Sequence, residues 1–315
     1  MTTPKRDGNT LGWITGLCVA VLWASAFPAI RVAAPELGVV GLTLGRLLIA
    51  TATLVAIGAW RGARLPRAAD LPLIISCGIV GMAAYQLLLN WGELYVPAGT
   101  TSMIVSASPI VSVTIAAWLL REKPSLMTMI GSAVAVSGVA VVCFARAGIA
   151  LSSAVWIIVL AGLLLGIYIP LTRPLLSTYT GLEVAIYSTF SGTVITLLMT
   201  PWAWANMVSA SGSAWLAAAY LGALPSALGY ALWGYALSRL TVAATTSFLY
   251  LVPPIAVILS YVWLHETPMV SEGVGGVIVL LGVVLLNHGR LPRRRAQNIQ
   301  PSIGQDEIVD PVASS

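Results

Sequence analysis

Long apolar runs, separated by short polar connections that often contain proline or glycine, dominate this sequence. A helix needs about 20 predominantly apolar residues to cross the hydrocarbon core of a bilayer. Ten runs have roughly that length, so the pattern predicts an all-α integral membrane protein with ten transmembrane helices. The predicted spans are 12–33, 38–59, 71–91, 96–119, 126–145, 152–171, 181–201, 214–234, 242–264 and 269–288.

Composition supports this prediction and narrows the expected partners. Hydrophobic residues make up 58% of the 315 residues and charged residues only 9%, whereas a soluble protein has about 25% charged residues. The net charge of +5 is spread in small groups between the runs, so the expected partner is the lipid bilayer and not nucleic acid. The three cysteines lie inside apolar runs without metal-ligand spacing, so no metal, disulfide or cofactor is expected.

Basic residues predict how the spans are oriented. With the N-terminus placed in the cytoplasm, thirteen Lys and Arg residues fall on the cytoplasmic side and only Arg31 and Arg146 on the other, while Arg46 lies within a span. This bias follows the positive-inside rule of membrane proteins. It predicts a multi-pass protein of the cytoplasmic (inner) membrane with both termini in the cytoplasm, and it requires an even number of spans.

The two halves of the chain contain related segments. From residue 97 the chain reads PAGTTSMIVSASPIVSVTIAAWLLREKPS, and 144 residues later it reads TVAATTSFLYLVPPIAVILSYVWLHETPM. Pro109 thus corresponds to Pro253, and an offset of 142 aligns Pro28 with Pro170. Each half contains five predicted spans. Because five is odd, the second half must insert in the opposite orientation to the first.

This repeat predicts how the chain is organised and what class of protein it is. Inverted repeats are a common architecture of secondary transporters, whose substrate site lies near the midplane between the halves. The sequence therefore predicts a carrier of a small-molecule substrate, for which a monomer is expected to suffice. The predicted parts are a cytoplasmic tail 1–11, a first repeat 12–146, a second repeat 152–288 and a disordered cytoplasmic tail 291–315.

Short motifs within this framework resemble the EamA family of the drug/metabolite transporter superfamily. In the first span WASAFPAIR resembles the family's W-G-x-x-F-x-x-x-K/R pattern, with Ala24 where Gly is usual, and LTLGRLLIATATL in the second resembles its R-x-x-x-A segment. LLREKPS and WLHETPM resemble its boundary between the fourth and fifth spans of each repeat. The resemblance covers 12–288. It implies two inverted five-helix repeats and export of amino acids, aromatic or otherwise apolar ones included, or of drugs or other metabolites.

Polar side chains at membrane depth are costly and therefore mark candidate functional residues. Arg46 lies near the middle of its span, where its guanidinium would attract the carboxylate of an anionic or zwitterionic substrate; a structural role is the alternative. In the third span Gln86, Asn90 and Glu93 recur at i, i+4 and i+7 and form one polar face. This face is expected either to line the cavity or to hold helices together.

The predicted substrate-binding set also contains aromatic and hydroxyl side chains from other spans. Aromatic groups near mid-depth would suit an amino acid substrate, with core packing as the alternative. Hydroxyl groups of the fourth and ninth spans occupy matching positions in the two repeats. The full predicted set is Trp23, Arg46, Tyr85, Gln86, Asn90, Ser102, Ser106, Tyr168, Tyr187, Tyr230, Thr246 and Tyr250.

Prolines inside the spans are candidate hinges. Each removes a backbone hydrogen bond and permits a kink. The pairs Pro28 with Pro170 and Pro109 with Pro253 occupy equivalent positions in the repeats. They are predicted to be bending points for alternating access, with a fixed bend as the alternative.

The positions of the acids and histidines help to distinguish the remaining functional classes of membrane protein. The first span has no carboxylate before Arg31, where small multidrug antiporters of the superfamily depend on a buried acid; Glu93 and Glu183 are expected to be solvated at span ends. The absence of a buried acid in the first span does not favour proton antiport of cationic drugs. Neither histidine belongs to an H-E-x-x-H zinc motif, which argues against an intramembrane protease. A channel or receptor is the remaining alternative, and it explains the inverted repeat less well than a carrier does.

Overall fold

The computed structural model describes residues 6–108, 110–112, 115, 126–145, 153–239 and 248–288. Every regular element in these ranges is helical, as the sequence predicts. Numbered in chain order, the helices are α1 (Arg6–Arg61), α2 (Ala68–Glu93), α3 (Ala98–Val105), α4 (Leu126–Ala145), α5 (Ser153–Leu176), α6 (Gly181–Leu197), α7 (Thr200–Ser209), α8 (Gly212–Leu221, Gly222–Leu228 and Gly229–Arg239 in succession), α9 (Val252–Leu264) and α10 (Val270–His288).

Several of these helices are long and apolar enough to cross a bilayer. Within the ranges above there are four: Thr10–Arg61, Ala68–Glu93, Ala154–Leu176 and Gly212–Ala236. A fifth results if α6 and α7, bent by 89° relative to each other, form one span. The chain is therefore a multi-pass helical membrane protein. The count of ten spans stays a prediction, since α4, α9 and α10 contain only shorter apolar stretches.

Gly38 divides α1 into two arms, 6–37 and 39–61. Its backbone angles, φ 68° and ψ 169°, lie outside the helical region and are accessible to glycine because it has no Cβ. On one side of this break Arg31 donates a hydrogen bond to the carbonyl of Glu93, and on the other Thr43 accepts one from Asn90. Both arms therefore meet the same end of α2, and α1 is a hairpin, in agreement with the first two predicted spans.

α4 and α10, which occupy equivalent positions in the two halves, pack backbone to backbone. A Cβ added at Gly138 would lie 2.5 Å from the backbone nitrogen of Val279, and one added at Gly282 would lie 2.3 Å from that of Ala135. Small residues permit such close approach in membrane helices. Residue numbers on α10 fall as those on α4 rise, so these two helices are antiparallel, as an inverted repeat requires of this pair.

α2 and α8 each contain a π-helical segment at equivalent positions. The segments, Gly78–Ala84 and Gly222–Leu228, lie 144 positions apart, which is the offset of the sequence repeat. π-helical turns are rare and often occur at functional sites. The segment of α8 packs against α1 and that of α2 against α6, so each has one face buried in the helix bundle.

Two predicted spans differ from the observed helices. The seventh, 181–201, is interrupted because α6 ends at Leu197 and the chain bends before α7, whose first turn contains Pro201. The ninth, 242–264, is α-helical from Val252 after a 3₁₀ turn, Phe248–Leu251, while 242–247 lie outside the described residues. Proline fits the first turn of a helix because the N–H that it lacks has no partner there.

The four predicted hinge prolines have different settings. Pro28 and Pro170 lie inside α1 and α5, as predicted. Pro253 is the second residue of α9, so it does not kink the interior of a helix. Pro109 lies outside the described residues. Bending at these sites during transport stays a prediction.

Candidate functional site

Arg46, on the second arm of α1, has an almost fully buried side chain. Its Nε donates a hydrogen bond of 2.8 Å to Ser226 Oγ in the π-helical segment of α8. Among the described residues, its Nη1 has no hydrogen-bond partner. A buried polar group without a partner is costly, and the planar guanidinium matches a carboxylate in two parallel hydrogen bonds. Arg46 is therefore suited to bind a carboxylate.

A close approach of α8 to α1 fixes this arrangement. A Cβ added at Gly222 would lie 2.7 Å from the carbonyl oxygen of Arg46 and 2.8 Å from Ile49 Cβ. Only glycine permits this separation, because either contact would force the two helices apart. Ser226, one helical turn further along α8, is thereby held against the guanidinium of Arg46.

Trp23, on the first arm of α1, forms an aromatic cluster with α8. Its indole Nε1 donates a hydrogen bond of 3.0 Å to the carbonyl of Pro225. Its ring meets Tyr230 edge to face, with centroids 5.6 Å apart, and lies 5.2 Å from the ring of Trp233. The hydrogen bond and the ring contacts fix the orientation of the indole on the same segment of α8 that contacts Arg46.

Two tyrosines extend this cluster to α2. Tyr85 and Tyr230 are both close enough to Arg46 to interact with it electrostatically, and so is Glu93. Trp23, Arg46, Tyr85 and Tyr230, predicted separately from four spans, are therefore brought together. The group combines one cation with aromatic rings, a combination that suits a small molecule with a carboxylate and an apolar side chain.

The predicted polar face of α2 points into the bundle. Gln86 and Asn90 are buried, and Asn90 Nδ2 donates a hydrogen bond of 2.8 Å to Thr43 Oγ1. The amide oxygens of both residues lack hydrogen-bond partners in the described part of the chain. They are free acceptors, which suit an ammonium group.

Glu93 and Glu183 are not solvated, so that expectation is wrong. Glu93 is completely buried, and Glu183 is only 4% exposed. Both acids are at helix ends, but other segments cover these ends: Arg31 bonds to the backbone of Glu93, and Arg64 bonds to the carboxylate of Glu183.

A group of contacts that we name the Arg31 cluster joins four segments at one end of the bundle. Arg31 Nε lies 3.1 Å from Glu266 Oε1, and Arg31 Nη1 donates to the carbonyls of Glu93 (2.5 Å) and Leu94 (3.1 Å). The second carboxylate oxygen of Glu266 accepts a hydrogen bond of 2.9 Å from the backbone N–H of Ala98. The cluster thus connects α1, α2, α3 and the connection between α9 and α10.

A second group, the Arg64 cluster, lies after the second arm of α1. Arg64 Nε and Nη2 each donate to one oxygen of Glu183 at 2.9 Å, and Nη2 also donates to the carbonyl of Thr178. The Glu183 carboxylate raises the pKa of Arg64 above its ordinary value. Thr180 and Glu183 form a reciprocal capping box at the start of α6. The Tyr187 hydroxyl donates to the carbonyl of Arg64, so Tyr187 lies in this cluster and not beside Arg46.

The two clusters are at opposite ends of α2. Tyr179, whose ring meets that of Tyr187 in the Arg64 cluster, donates a hydrogen bond of 2.6 Å to Asp70 at the start of α2. Glu93 at its other end belongs to the Arg31 cluster. A helix of this length measures about 39 Å at 1.5 Å per residue. Ser226, the partner of Arg46, lies near the middle of α8, so Arg46 lies between the two clusters.

The remaining predicted site residues are not brought to Arg46 by any described contact. Ser102 and Ser106 donate hydrogen bonds to carbonyls of their own helical segment. Tyr168 packs its ring against the π-helical segment of α2. Thr246 and the side chain of Tyr250 lie outside the described residues.

Sequence reasoning missed two residues of the site. Ser226 precedes Tyr230 by four positions and Thr43 precedes Arg46 by three, so each lies on the helix face of a residue that was predicted. These spacings were a usable signal. Small hydroxyl residues are frequent in membrane helices, however, and sequence alone gives no reason to prefer these two.

Comparison with known proteins gives consistent matches over both halves. Residues 10–144 and 152–288 each match the profile of the EamA-like transporter family. A protein of Streptantibioticus cattleyicolor named "Probable terminal-alkyne amino-acid exporter" is 46% identical over 90% of this chain and 95% of its own length. The uncharacterized transporter YdfC of Bacillus subtilis is 33% identical over 83% of this chain and 86% of its own length.

A solved crystal structure of another protein is similar in fold. The TM-score is 0.62 over 88% of this chain and 97% of the other, at 18% sequence identity. At this identity the likeness bears on the fold alone.

Proposed function

The chain belongs to the EamA-like transporter family, and on this premise we propose that it exports amino acids from the cell by alternating access. As a multi-pass membrane transporter, it has a small-molecule substrate. The proposal adds the chemical class of that substrate, the direction of transport, and an organisation in ten spans as two inverted repeats. It also places the protein in the cytoplasmic membrane with both termini in the cytoplasm.

The unpaired guanidinium of Arg46 carries the substrate assignment. It is a buried cation whose only hydrogen bond from the described residues is to a neutral serine, and its Nη1 is free. A substrate carboxylate would supply the missing acceptor. The free amide oxygens of Gln86 and Asn90, one and five residues along α2 from Tyr85, would accept from the substrate's ammonium group.

The aromatic cluster supports an apolar substrate side chain. Trp23 and Tyr230 are in edge-to-face contact, and Tyr85 and Tyr230 both lie close to Arg46. The relative from Streptantibioticus cattleyicolor supports the same class, because a terminal-alkyne amino acid combines a carboxylate, an amine and an apolar tail. We propose amino acids with apolar or aromatic side chains as the first substrates to test.

The two clusters supply the groups for alternating access. Each closes one end of the bundle through an Arg–Glu ion pair supported by backbone hydrogen bonds. Opening one cluster at a time would expose Arg46 to one side of the membrane and then to the other. We propose that the Arg31 cluster is the outer closure and the Arg64 cluster the inner one, in agreement with the distribution of basic residues.

Counterflow in proteoliposomes tests the proposal. Vesicles containing purified protein would be loaded with one unlabelled amino acid at a time and diluted into a trace of the same labelled amino acid. The expected result is saturable, transient accumulation of label for at least one apolar or aromatic amino acid. An exporter of other metabolites would give no counterflow with any amino acid, and a channel would give non-saturable equilibration.

A further inference from the structure

Glu93 has an unusual setting for an acidic residue. It ends α2 within the Arg31 cluster, and its side chain is completely buried. Neither carboxylate oxygen has a hydrogen-bond partner among the residues that the structure describes. By contrast, Glu183 at the opposite end of the bundle has both oxygens bonded to Arg64 or Thr180.

The cations that face Glu93 do not pair with it. Arg31 approaches from the first arm of α1 and Arg46 from the second, Glu266 lies on the connection before α10, and Tyr85 lies on the same helix. Arg31 instead uses its guanidinium for Glu266 and for backbone carbonyls. An ionised carboxylate here would be a buried charge without a hydrogen bond, and such groups neutralise by binding a proton.

We propose that Glu93 is a proton-binding site that couples substrate transport to the movement of protons. In the conformation described, with the Arg31 cluster closed, Glu93 is protonated. When the Arg64 cluster opens, water reaches the bundle from the inside and substrate binds at Arg46. The O–H bond of Glu93 then breaks, its proton passes to water on the inside, and the ammonium group of the substrate compensates the charge of the carboxylate. When Arg31 and Glu266 later separate, the substrate leaves to the outside and the carboxylate takes a proton from that side before the Arg31 cluster closes again, so one proton enters for each substrate that leaves.

The position of Glu93 connects this cycle to the substrate. Glu93, Asn90 and Gln86 form one face of α2 that extends from the Arg31 cluster toward Arg46. Proton relays in membrane transporters use such buried acids on bundle-facing helix surfaces. The coupling rests on the proposed transport function, whereas the protonation of Glu93 does not.

A pH gradient across proteoliposomes tests the coupling. With the membrane potential clamped at zero, the equilibrium ratio of labelled substrate inside to outside should change about tenfold per pH unit for one proton per substrate. Glu93→Gln, which keeps the size of the side chain and removes the titrating group, should abolish this dependence while keeping counterflow, which needs no net proton movement. The matched control is Glu36→Gln, an exposed carboxylate at the same end of the bundle, bonded to the backbone N–H of Ser211. It should behave like the wild type.

Other outcomes overturn the proposal. In the wild type, an equilibrium ratio of labelled substrate that does not change with the pH gradient, or that changes only with a sodium gradient, would contradict the proposal. So would a Glu93→Gln protein that still responds to pH, or one that has lost counterflow together with coupling.

Infrared spectroscopy tests protonation separately from transport. Purified wild-type protein at pH 7 should show a carboxylic-acid C=O band that is absent from Glu93→Gln and present in Glu36→Gln. Identical bands in all three proteins would show that Glu93 is ionised and would end the proposal, even if the protein transports amino acids. Failure of counterflow with the expected infrared result would instead count against the transport proposal alone.

Discussion

Thr51 and Thr193, 142 positions apart in the chain, share a hydrogen bond of 2.7 Å between their hydroxyl oxygens. The same offset aligns the prolines of the first and sixth predicted spans, so the two threonines occupy equivalent positions in the repeats. Equivalent residues touch each other where a two-fold axis passes between them. Seven residues away along α1, Gly58 meets Ile186, which shows that the second arm of α1 and α6 are antiparallel. This pair therefore has the geometry of an inverted repeat.

The Thr51–Thr193 bond is expected to add little stability. Thr193 Oγ1 also bonds to the carbonyl of Thr189 at 2.8 Å, so Thr51→Val leaves it with a partner. Hydrogen bonds between membrane helices have an average coupling energy of about 0.6 kcal/mol. A double-mutant cycle of Thr51→Val and Thr193→Val, followed by unfolding in mixed micelles, should give a value of that size. Coupling above about 2 kcal/mol would mean that these hydroxyls lack the alternative acceptors.

Weakening the Arg31 cluster and weakening the Arg64 cluster should have opposite effects on how accessible a cysteine at residue 98 is to a thiol reagent. Arg31→Gln removes an ion pair that is only partly exposed, worth about 1 kcal/mol, and should increase labelling of Ala98→Cys by a membrane-impermeant thiol reagent about fivefold. Arg64→Gln should decrease the same labelling, because it favours opening at the other end. Parallel changes in both variants would contradict alternating access through these two clusters.

Packing of α4 against α10 should limit side-chain size at Gly282. Gly282→Ala would place Cβ 2.3 Å from the backbone nitrogen of Ala135, and backbone cannot move aside as a flexible side chain can. Overpacking of this kind costs about 1–3 kcal/mol. The matched control on the same helix is Gly273→Ala, where an added Cβ meets nothing within 4 Å. Thermal unfolding in detergent should show a lower Tm for the first variant alone; equal Tm values would contradict the close packing.

The indole N–H of Trp23 should contribute to transport by holding the aromatic cluster. Trp23→Phe keeps a ring but leaves the Pro225 carbonyl without its donor. A net hydrogen bond is worth about 1 kcal/mol, so apparent substrate affinity in counterflow should fall about fivefold. Trp13→Phe, at a half-exposed tryptophan that contacts Phe248, is the control and should leave the affinity unchanged. An unchanged substrate affinity in Trp23→Phe would show that Trp23 is not part of the site.

Apolar runs predicted the helices well and the interior contacts poorly. The family resemblance is confirmed, and residues 126–145, one of the predicted spans, are helical throughout as α4. Periodicity also placed Gln86 and Asn90 correctly on a face toward the bundle. These predictions succeed because they depend on local sequence and on the cost of polar groups in lipid.

Contacts between distant segments could not be predicted. The burial of Glu93 depends on Arg31 and on Glu266, which are 235 positions apart in sequence. Tyr187 was predicted as a site residue from its position along its span, yet its hydroxyl bonds to the backbone of Arg64 at one end of the bundle. Depth along a span is readable from sequence, but the direction in which a side chain points within the bundle depends on which helices are neighbours.

Counterflow with substrate analogues tests most directly whether Arg46 binds a carboxylate. The wild type would be compared with Arg46→Gln, using a transported amino acid and its carboxamide, which differs only in lacking the charge. Hydrogen bonds to charged groups are worth about 1.5–3 kcal/mol, so Arg46→Gln should weaken inhibition by the acid about 10- to 150-fold and leave inhibition by the carboxamide unchanged. Equal inhibition by acid and carboxamide in the wild type, or equal losses for both in Arg46→Gln, would contradict the account.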